Sequence, residues 1–189
     1  MTEVPFSCAC GKLNGTLSRA TPSGGNHCKC LCDSCRAGAV YCKTPELAEG
    51  GLALFLTTPD RITITSGFDQ LAPFSFGAKN IIRWQAKCCG VQMFSTPANP
   101  KMAMTSISTA RLTDPAAIGP VRSRAFVPQP NGKTKHENIP AFIGTVARVL
   151  RARFTGRWKE TPFFDSVSLE PTVAVTLISK EDRRALLAR

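Results

Sequence analysis

NIIRWQAKCCGVQMFST, residues 80–96, decides how this chain is built. Two runs rich in β-branched and aromatic residues, NIIRWQAK (80–87) and VQMFST (91–96), flank Cys88-Cys89-Gly90, so the stretch reads as two strands with the cysteine pair at the hairpin tip. Adjacent residues of an extended strand face opposite ways. Cys88 and Cys89 can therefore share one ion only if the backbone turns sharply between them, and Gly90 permits that turn.

The same signature recurs near the N-terminus, where Cys8-Ala-Cys10-Gly11 again sets two cysteines before a glycine. A third cluster lies between them: CKCLCDSCR, residues 28–36, carries Cys28, Cys30, Cys32 and Cys35. Dense cysteine means either the disulfide framework of a secreted domain or metal ligands inside a cell. The chain has nine cysteines, an odd number, and most lie one or two residues from another, spacings that seldom supply the geometry of a disulfide. The opening MTEVPFSCACGK has neither the basic flank nor the apolar core of a secretory signal. The expected compartment is the reducing cytoplasm, and the expected use of the thiols is metal binding.

Structural zinc takes four sulfur or nitrogen ligands in a tetrahedron, drawn as close pairs from distant parts of the chain so that binding closes a long loop. Cys8 and Cys10 with Cys88 and Cys89 are two such pairs, expected to form one closed site that pins the first strand to the hairpin tip. Cys30, Cys32 and Cys35 form a compact trio where the chain passes from a loop into a short helix. Three ligands leave one position open, the mark of a catalytic or ligand-binding zinc. Cys28, His27 or Asp33 would close that tetrahedron if one of them reached it.

The remaining sequence supplies strands and one helix. KLNGTLS (12–18) and KMAMTSIST (101–109) read as short strands, and GLALFLTTPDRITITSG (51–67) reads as a hairpin around a Thr-Pro-Asp turn. In IPAFIGTVARVLRARF (139–154), Phe142, Ile143, Val146, Val149 and Leu150 recur at helical spacing, with Asn138 as cap and Pro140 in the first turn, so a helix is expected to pack its apolar stripe on the sheet. Arg148, Arg151, Arg153 and Arg157 then form a solvated face that complements the helix dipole. Ile81, Ile82 and Trp84 are expected in the core, Cys42 in an apolar-flanked strand, and His136 in a polar loop. Phe163 and Phe164 would cover either the core or a pocket.

Lysine and arginine number 24 against 13 acidic residues, a formal net charge of +11, and thiolates on metal would still leave the chain basic. That balance suits an anionic small molecule or, more weakly, a nucleic acid. No apolar run approaches the roughly 18 residues that cross a bilayer, which argues against a membrane protein. At 189 residues the chain is expected to fold as one cooperative unit.

Cys8-x-Cys10-Gly11, then Cys30-x-Cys32-x-x-Cys35-Arg36, then Cys89-Gly90 after a strand, together resemble the glutathione-dependent formaldehyde-activating enzyme family, relatives of centromere protein V. The stretch from Gly50 to Thr96 is similar to an uncharacterised bacterial branch of it, and the resemblance covers roughly residues 6–96. It implies a mainly β fold: a zinc-pinned β-tent of antiparallel sheets over residues 1–112, with a basic C-terminal extension, 113–189, packing one helix on that core. It further implies structural zinc on Cys8, Cys10 and Cys89, a labile catalytic zinc on Cys30, Cys32 and Cys35, and carbon–sulfur lyase activity on the adduct of glutathione and formaldehyde. Two positions depart from the family pattern. Ala86 stands where C-x-x-C-G has its first cysteine, so the fourth structural ligand must come from Cys88 or elsewhere, and Leu31 replaces a histidine inside the trio.

A small thiol such as glutathione would fill the open zinc position, and its carboxylates suit arginine forks. Arg36, beside the trio, and Arg83, on the strand that leads to the other cluster, are the candidates for that clamp. Two other readings compete: a non-catalytic zinc protein with a basic binding surface, and a thiol redox protein.

Overall fold

The computed structural model describes residues 2–43 and 51–188; Gly50, at the head of the stretch carrying the resemblance, lies outside them. Twelve strands and three α-helices are arranged mainly as β structure in two sheets. The small sheet joins β1 (Glu3–Ser7), β2 (Asn14–Ser18) and β5 (Ile62–Ser66), all antiparallel. The large sheet runs in the order β11 (Thr134–Glu137), β10 (Ser123–Pro128), β3 (Asn26–Cys30), β4 (Leu52–Thr57), β9 (Thr105–Ser108), β8 (Gln92–Pro97), β7 (Ile81–Ala86), β6 (Leu71–Ser75) and β12 (Thr176–Leu177). Two of its pairings are parallel, β10 on β3 and β12 on β6; the other pairings in both sheets are antiparallel, as expected.

The alternation of side chains assigns the two faces of the large sheet. On β4, Phe55 enters the main core, while Leu52, Leu54 and Leu56 point the other way. On β7, Ile82, Trp84 and Ala86 enter the main core. That core lies between the two sheets, where Val4, Phe6 and Leu17 of the small sheet meet Trp84, Phe94 and Ile107 of the large one. Phe6 meets Phe94 edge-on with ring centroids 5.2 Å apart, and Phe163 sits 5.0 Å from Trp84 and 5.2 Å from Phe94. Phe163 and Phe164 are therefore core residues.

Helices cover the opposite face. α1 (Asp33–Tyr41) buries Ala37, Gly38 and Ala39, α2 (Ile139–Phe154) packs on β3 and β4, and α3 (Lys180–Leu187) lies against α1. The segment after residue 112 thus supplies three strands and two helices. No described helix is long and apolar enough to cross a membrane.

Four local expectations change. Residues 51–67 do form two strands, but β4 and β5 do not pair: β4 sits between β3 and β9, and β5 pairs with β2 in the other sheet. The intervening Pro59–Arg61 forms a 3-10 turn that carries the chain from one sheet to the other. Cys42 ends α1 as its C-cap, and His136 lies on β11 between the rings of Phe126 and Phe142. α2 has the predicted bounds but buries Ala141, Thr145 and Ala152, leaving Ile143 62 % and Phe154 83 % exposed. Small side chains form the buried face, Phe142 packs against the cluster on the helix-covered face of the sheet, and Ile143, Val146 and Leu150 of the expected stripe are turned outward.

Candidate metal centres

The first centre forms where the two sheets meet. Cys8 follows the last residue of β1 and is buried, and the chain turns back at once: Gly11 N–H donates to Cys8 O (3.0 Å) and Cys8 N–H to Leu13 O (2.8 Å). At the β7–β8 tip, Cys89 N–H and Gly90 N–H both donate to Ala86 O, at 3.2 and 2.7 Å. Gly11 and Gly90 have φ of +78° and +74°, the left-handed conformation in which glycine has no steric penalty. Each turn thereby aims two sulfurs the same way, and the sharp bend expected between Cys88 and Cys89 is present.

The sulfurs converge. Sγ of Cys8 lies 3.6 Å from Cys10 and 3.7 Å from Cys88, Cys10 lies 3.2 Å from Cys88, and Cys88 lies 3.9 Å from Cys89. A zinc–sulfur bond of about 2.3 Å sets the edges of a tetrahedron at about 3.8 Å, so four thiolates in this arrangement fit such an ion. All four cysteines are free. Leu13 N–H donates to Cys8 Sγ at 3.3 Å, and the Lys12 N–H beside Cys10 lowers that thiol's pKa, with further lowering from Cys88. Burial, then the neighbouring sulfurs, pushes Cys88 up to about 12. Cys10 is thus the easier of the two to ionise, and a bound cation would take the place of the proton on Cys88.

The second centre sits on the helix-covered face, at the junction of β3 and α1. Cys30 ends β3, Cys32 is the N-cap of α1, and Cys35 lies in its first turn. Cys35 N–H donates to Cys32 Sγ at 3.3 Å, while the Sγ atoms of Cys30 and Cys35 are 2.9 Å apart and those of Cys30 and Cys32 3.5 Å. A helix N-terminus stabilises a thiolate. Hydrogen bonds from Cys30 and Cys35 bring Cys32 down to about 2, and the same sharing holds Cys30 up near 12 and drives Cys35 upward. Cys32 is therefore the most readily ionised of the three, a charge distribution that a metal cation would change.

Among the described residues, no fourth cysteine, histidine or carboxylate joins this trio. Cys28 shares the Cys30 side of β3 but stays outside the group, its Sγ 3.5 Å from Lys29 O and its pKa raised chiefly by burial. His27 Nδ1 is hydrogen-bonded to Gly119 O at 2.7 Å, and Asp33 does not reach the trio. The donor sets differ accordingly: four sulfurs at the seam of the sheets, three at the mouth of α1. Both groups could hold a metal ion.

The two arginines expected to clamp a ligand part company. Arg36 is exposed and donates to Leu187 O at 3.1 Å, tying α1 to the end of α3. Arg83 is buried under α1, which corrects its expected role as a surface clamp. Its Nη2 donates to Ser34 O and Ser34 Oγ, both at 2.8 Å, and its guanidinium lies 5.0 Å from the Phe76 ring centroid. Burial lowers its pKa, and the neighbouring Cys35, Cys32 and Cys42 sulfurs oppose that shift. Arg83 is placed to balance negative charge behind the trio.

Sequence reasoning missed α3. With Phe76 and Asn80 it borders a cleft of about 380 Å³ that also exposes Lys180, Arg183 and Arg184. The signal was present in ISKEDRR, since Ser179 caps the helix by accepting from Asp182 N–H at 3.0 Å and donating to Asp182 Oδ2 at 2.8 Å.

Comparison with known proteins adds family but no activity. Residues 1–164 match a family described as a family of unknown function, DUF6151. No curated protein matches the chain. One solved structure, of a Rhodobacter sphaeroides protein, is 17 % identical, covers 62 % of this chain and 96 % of its own, and superposes with a TM-score of 0.45.

Proposed function

Because the chain belongs to the DUF6151 family, whose function is unknown, its activity has to be argued from its own residues, and we propose that it is a two-zinc protein whose second centre acts on thiol–aldehyde adducts. The reading rests on one observation: three cysteine sulfurs converge at the N-terminus of α1 with no fourth protein ligand among the described residues. Cys8, Cys10, Cys88 and Cys89 would hold a structural ion between the sheets, and Cys30, Cys32 and Cys35 a labile one. Zinc bound there would supply a Lewis acid that keeps an incoming thiol ionised at neutral pH.

The surrounding residues suit that chemistry. Arg83 offsets the charge of the trio from behind. Arg36, one residue from Cys35, reaches the C-terminal end of α3, whose Lys180, Arg183 and Arg184 line the neighbouring cleft. A glutathione-like ligand would present its sulfur to the trio and its carboxylates to these cations. In the forward direction the sulfur adds to the aldehyde carbon, a C–S bond forms and the carbonyl oxygen takes a proton. The lyase direction reverses each of these changes. The resemblance to the glutathione-dependent formaldehyde-activating family motivates this substrate class.

Zinc counting by native mass spectrometry, followed by calorimetric titration with glutathione, tests the proposal. Two ions per chain and saturable glutathione binding that disappears in Cys32→Ser are expected; two ions with no binding would remove the thiol-adduct reading. One observation favours a second reading, thiol redox chemistry: the 2.9 Å approach of the Cys30 and Cys35 sulfurs. That reading requires reversible oxidation of the pair in the isolated protein, with loss of one ion.

A further inference from the structure

A cleft of about 410 Å³ is lined by residues that belong to neither cysteine group. Five arginines line it, and they come from four separate parts of the chain. Arg19 follows β2, Arg61 ends the 3-10 turn after β4, Arg148 and Arg151 project from α2, and Arg157 opens the 3-10 turn Arg157–Lys159. As a helix face alone, Arg148 and Arg151 would be an ordinary solvated surface. Their convergence with Arg19 and Arg61 is a tertiary arrangement that helix periodicity does not produce.

Among the described residues, one carboxylate pairs with these five charges. The carboxylate paired with this wall is Asp60, whose Oδ2 lies 3.4 Å from Arg61 Nε and 3.3 Å from Arg157 Nη1. Five guanidinium groups against one carboxylate leave four positive charges around one cavity. Arg61 Nε and Arg148 Nε are buried without a hydrogen-bond partner. Burial lowers the pKa of Arg61, and Arg19, Arg157 and Arg151 lower it further against the opposing pull of Asp60. Burial, then Arg122, lowers Arg148. Like charges held this close repel, and an anion placed among them removes the repulsion.

The frame is built rather than loose. Arg19 adopts φ of +50°, uncommon for a residue with a side chain. Its loop is fastened by Ala20 N–H to Thr2 O (3.2 Å), Gly24 N–H to Thr21 O (2.9 Å) and Thr57 Oγ1 to Gly24 O (3.1 Å).

We propose that this cleft binds a small organic molecule carrying two phosphoryl groups. Arginine forks match phosphate oxygens in pairs, so four uncompensated cations suit two phosphoryl groups better than one. The volume falls in the usual range of small-ligand pockets, about 300–1,000 Å³. Thr21, Ser23 and Thr58 add hydroxyl groups to the lining, and no aromatic side chain lines the cleft. That composition suits a polyhydroxylated bisphosphate and gives an unpaired base of a nucleic acid nothing to stack on.

Isothermal titration of the full-length chain as isolated, in low salt, tests this with fructose 1,6-bisphosphate, pyrophosphate and inorganic phosphate as probes. The bisphosphate or pyrophosphate should saturate at one per chain and bind about tenfold or more tighter than phosphate. Arg148→Ala and Arg151→Ala should each weaken that binding about tenfold. Arg153→Ala, which removes a charge from α2 outside the cleft lining, should leave it unchanged. Circular dichroism and thermal melting establish that each variant folds; Arg151 is exposed, so its variant retains the fold. Absence of saturation by either probe overturns the proposal. So does equal weakening by Arg153→Ala, which would mean diffuse charge attraction. A single-stranded oligonucleotide that binds more tightly than the bisphosphate also overturns it, in favour of a nucleic-acid surface.

Discussion

The two cysteine clusters use the same side chain on opposite faces of one sheet, and the difference between them lies in what the backbone does. The outer four meet because two glycine-ended turns, one from each sheet, fold back toward each other. The central three meet because a strand runs directly into the N-terminus of a helix. Closing the first centre joins Cys8 to Cys88 across 80 positions of sequence and fastens the two sheets. Closing the second spans only five positions, so little chain entropy depends on it. A metal on the first group would fasten the two sheets, whereas one on the second would keep a ligand position beside a helix end that stabilises a thiolate.

The largest expected effect follows from that contrast. Structural zinc contributes apparent folding free energy of about 10–16 kcal/mol in small domains. Cys8→Ser should therefore abolish cooperative thermal unfolding or lower the midpoint by tens of degrees, on the order of what loss of a structural metal does. Cys32→Ser should lose one ion per chain and keep a cooperative transition. Circular dichroism melts read alongside zinc counts check both, and a reversed pattern would break the comparison.

A smaller effect probes the support behind the trio. A Cβ added at Gly38 would stand 2.5 Å from Arg83 Nε and 2.6 Å from Arg83 Cδ. Arg83 cannot yield freely, because its Nη2 is committed to Ser34 and its Nη1 donates to Ile81 O. Gly38→Ala should cost about 1–3 kcal/mol through overpacking. It should also weaken zinc retention at the trio while leaving the outer ion in place. Competition with a chromophoric chelator resolves the two ions, and equal loss of both would show that Arg83 serves the fold alone.

How much of this was legible in sequence depends on range. Close cysteine spacings marked both groups, with a following glycine in the outer pairs only, because the chemistry of a metal site confines its ligands to short motifs. The Ile139–Phe154 helix and the β7–β8 hairpin were readable from local periodicity. The partner of a strand was not: β5 alternates equally well beside β4 or beside β2, and only the path through Pro59–Arg61 decides it. Nor was the buried face of α2, since Ala141, Thr145 and Ala152 carry a weak hydropathy signal yet are the residues the helix buries. The buried Arg83 was misjudged for a related reason. An isolated arginine looks exposed until a serine and an aromatic ring from elsewhere in the fold surround it.

Glycine gives a finer test of the outer turns. A Cβ at Gly11 or Gly90 would meet nothing within 4 Å, so any penalty is purely conformational. Gly90→Ala should cost about 1–2 kcal/mol, the price of a left-handed residue with a side chain. Gly90→Asn, which tolerates that conformation, should recover part of it. Denaturant midpoints measure the difference, and an Ala variant as stable as the wild type would mean that the turn does not need φ of +74°.

The smallest effect concerns Cys42, one of the two cysteines that belong to neither group. Cys42 is buried, its Sγ 3.6 Å from Gln85 Oε1, and burial pushes its thiol up to about 12 against the opposing charge of Arg83. A folded thiol that resists ionisation stabilises the native state only while the unfolded thiol is also protonated. Its contribution is therefore fully present below the unfolded thiol value, about 8.5, and is lost as pH rises from there toward 12. At neutral pH Cys42→Ala should move stability only by its packing loss, while above pH 9 it should flatten the alkaline decline relative to wild type. Iodoacetamide labelling followed by peptide mass mapping checks the same point, since Cys42 should stay unmodified in the folded chain at pH 8 and react once the chain is unfolded. Modification of Cys42 in the folded chain as fast as in the unfolded one would mean that α1 opens readily, and the trio it carries would then be mobile with it.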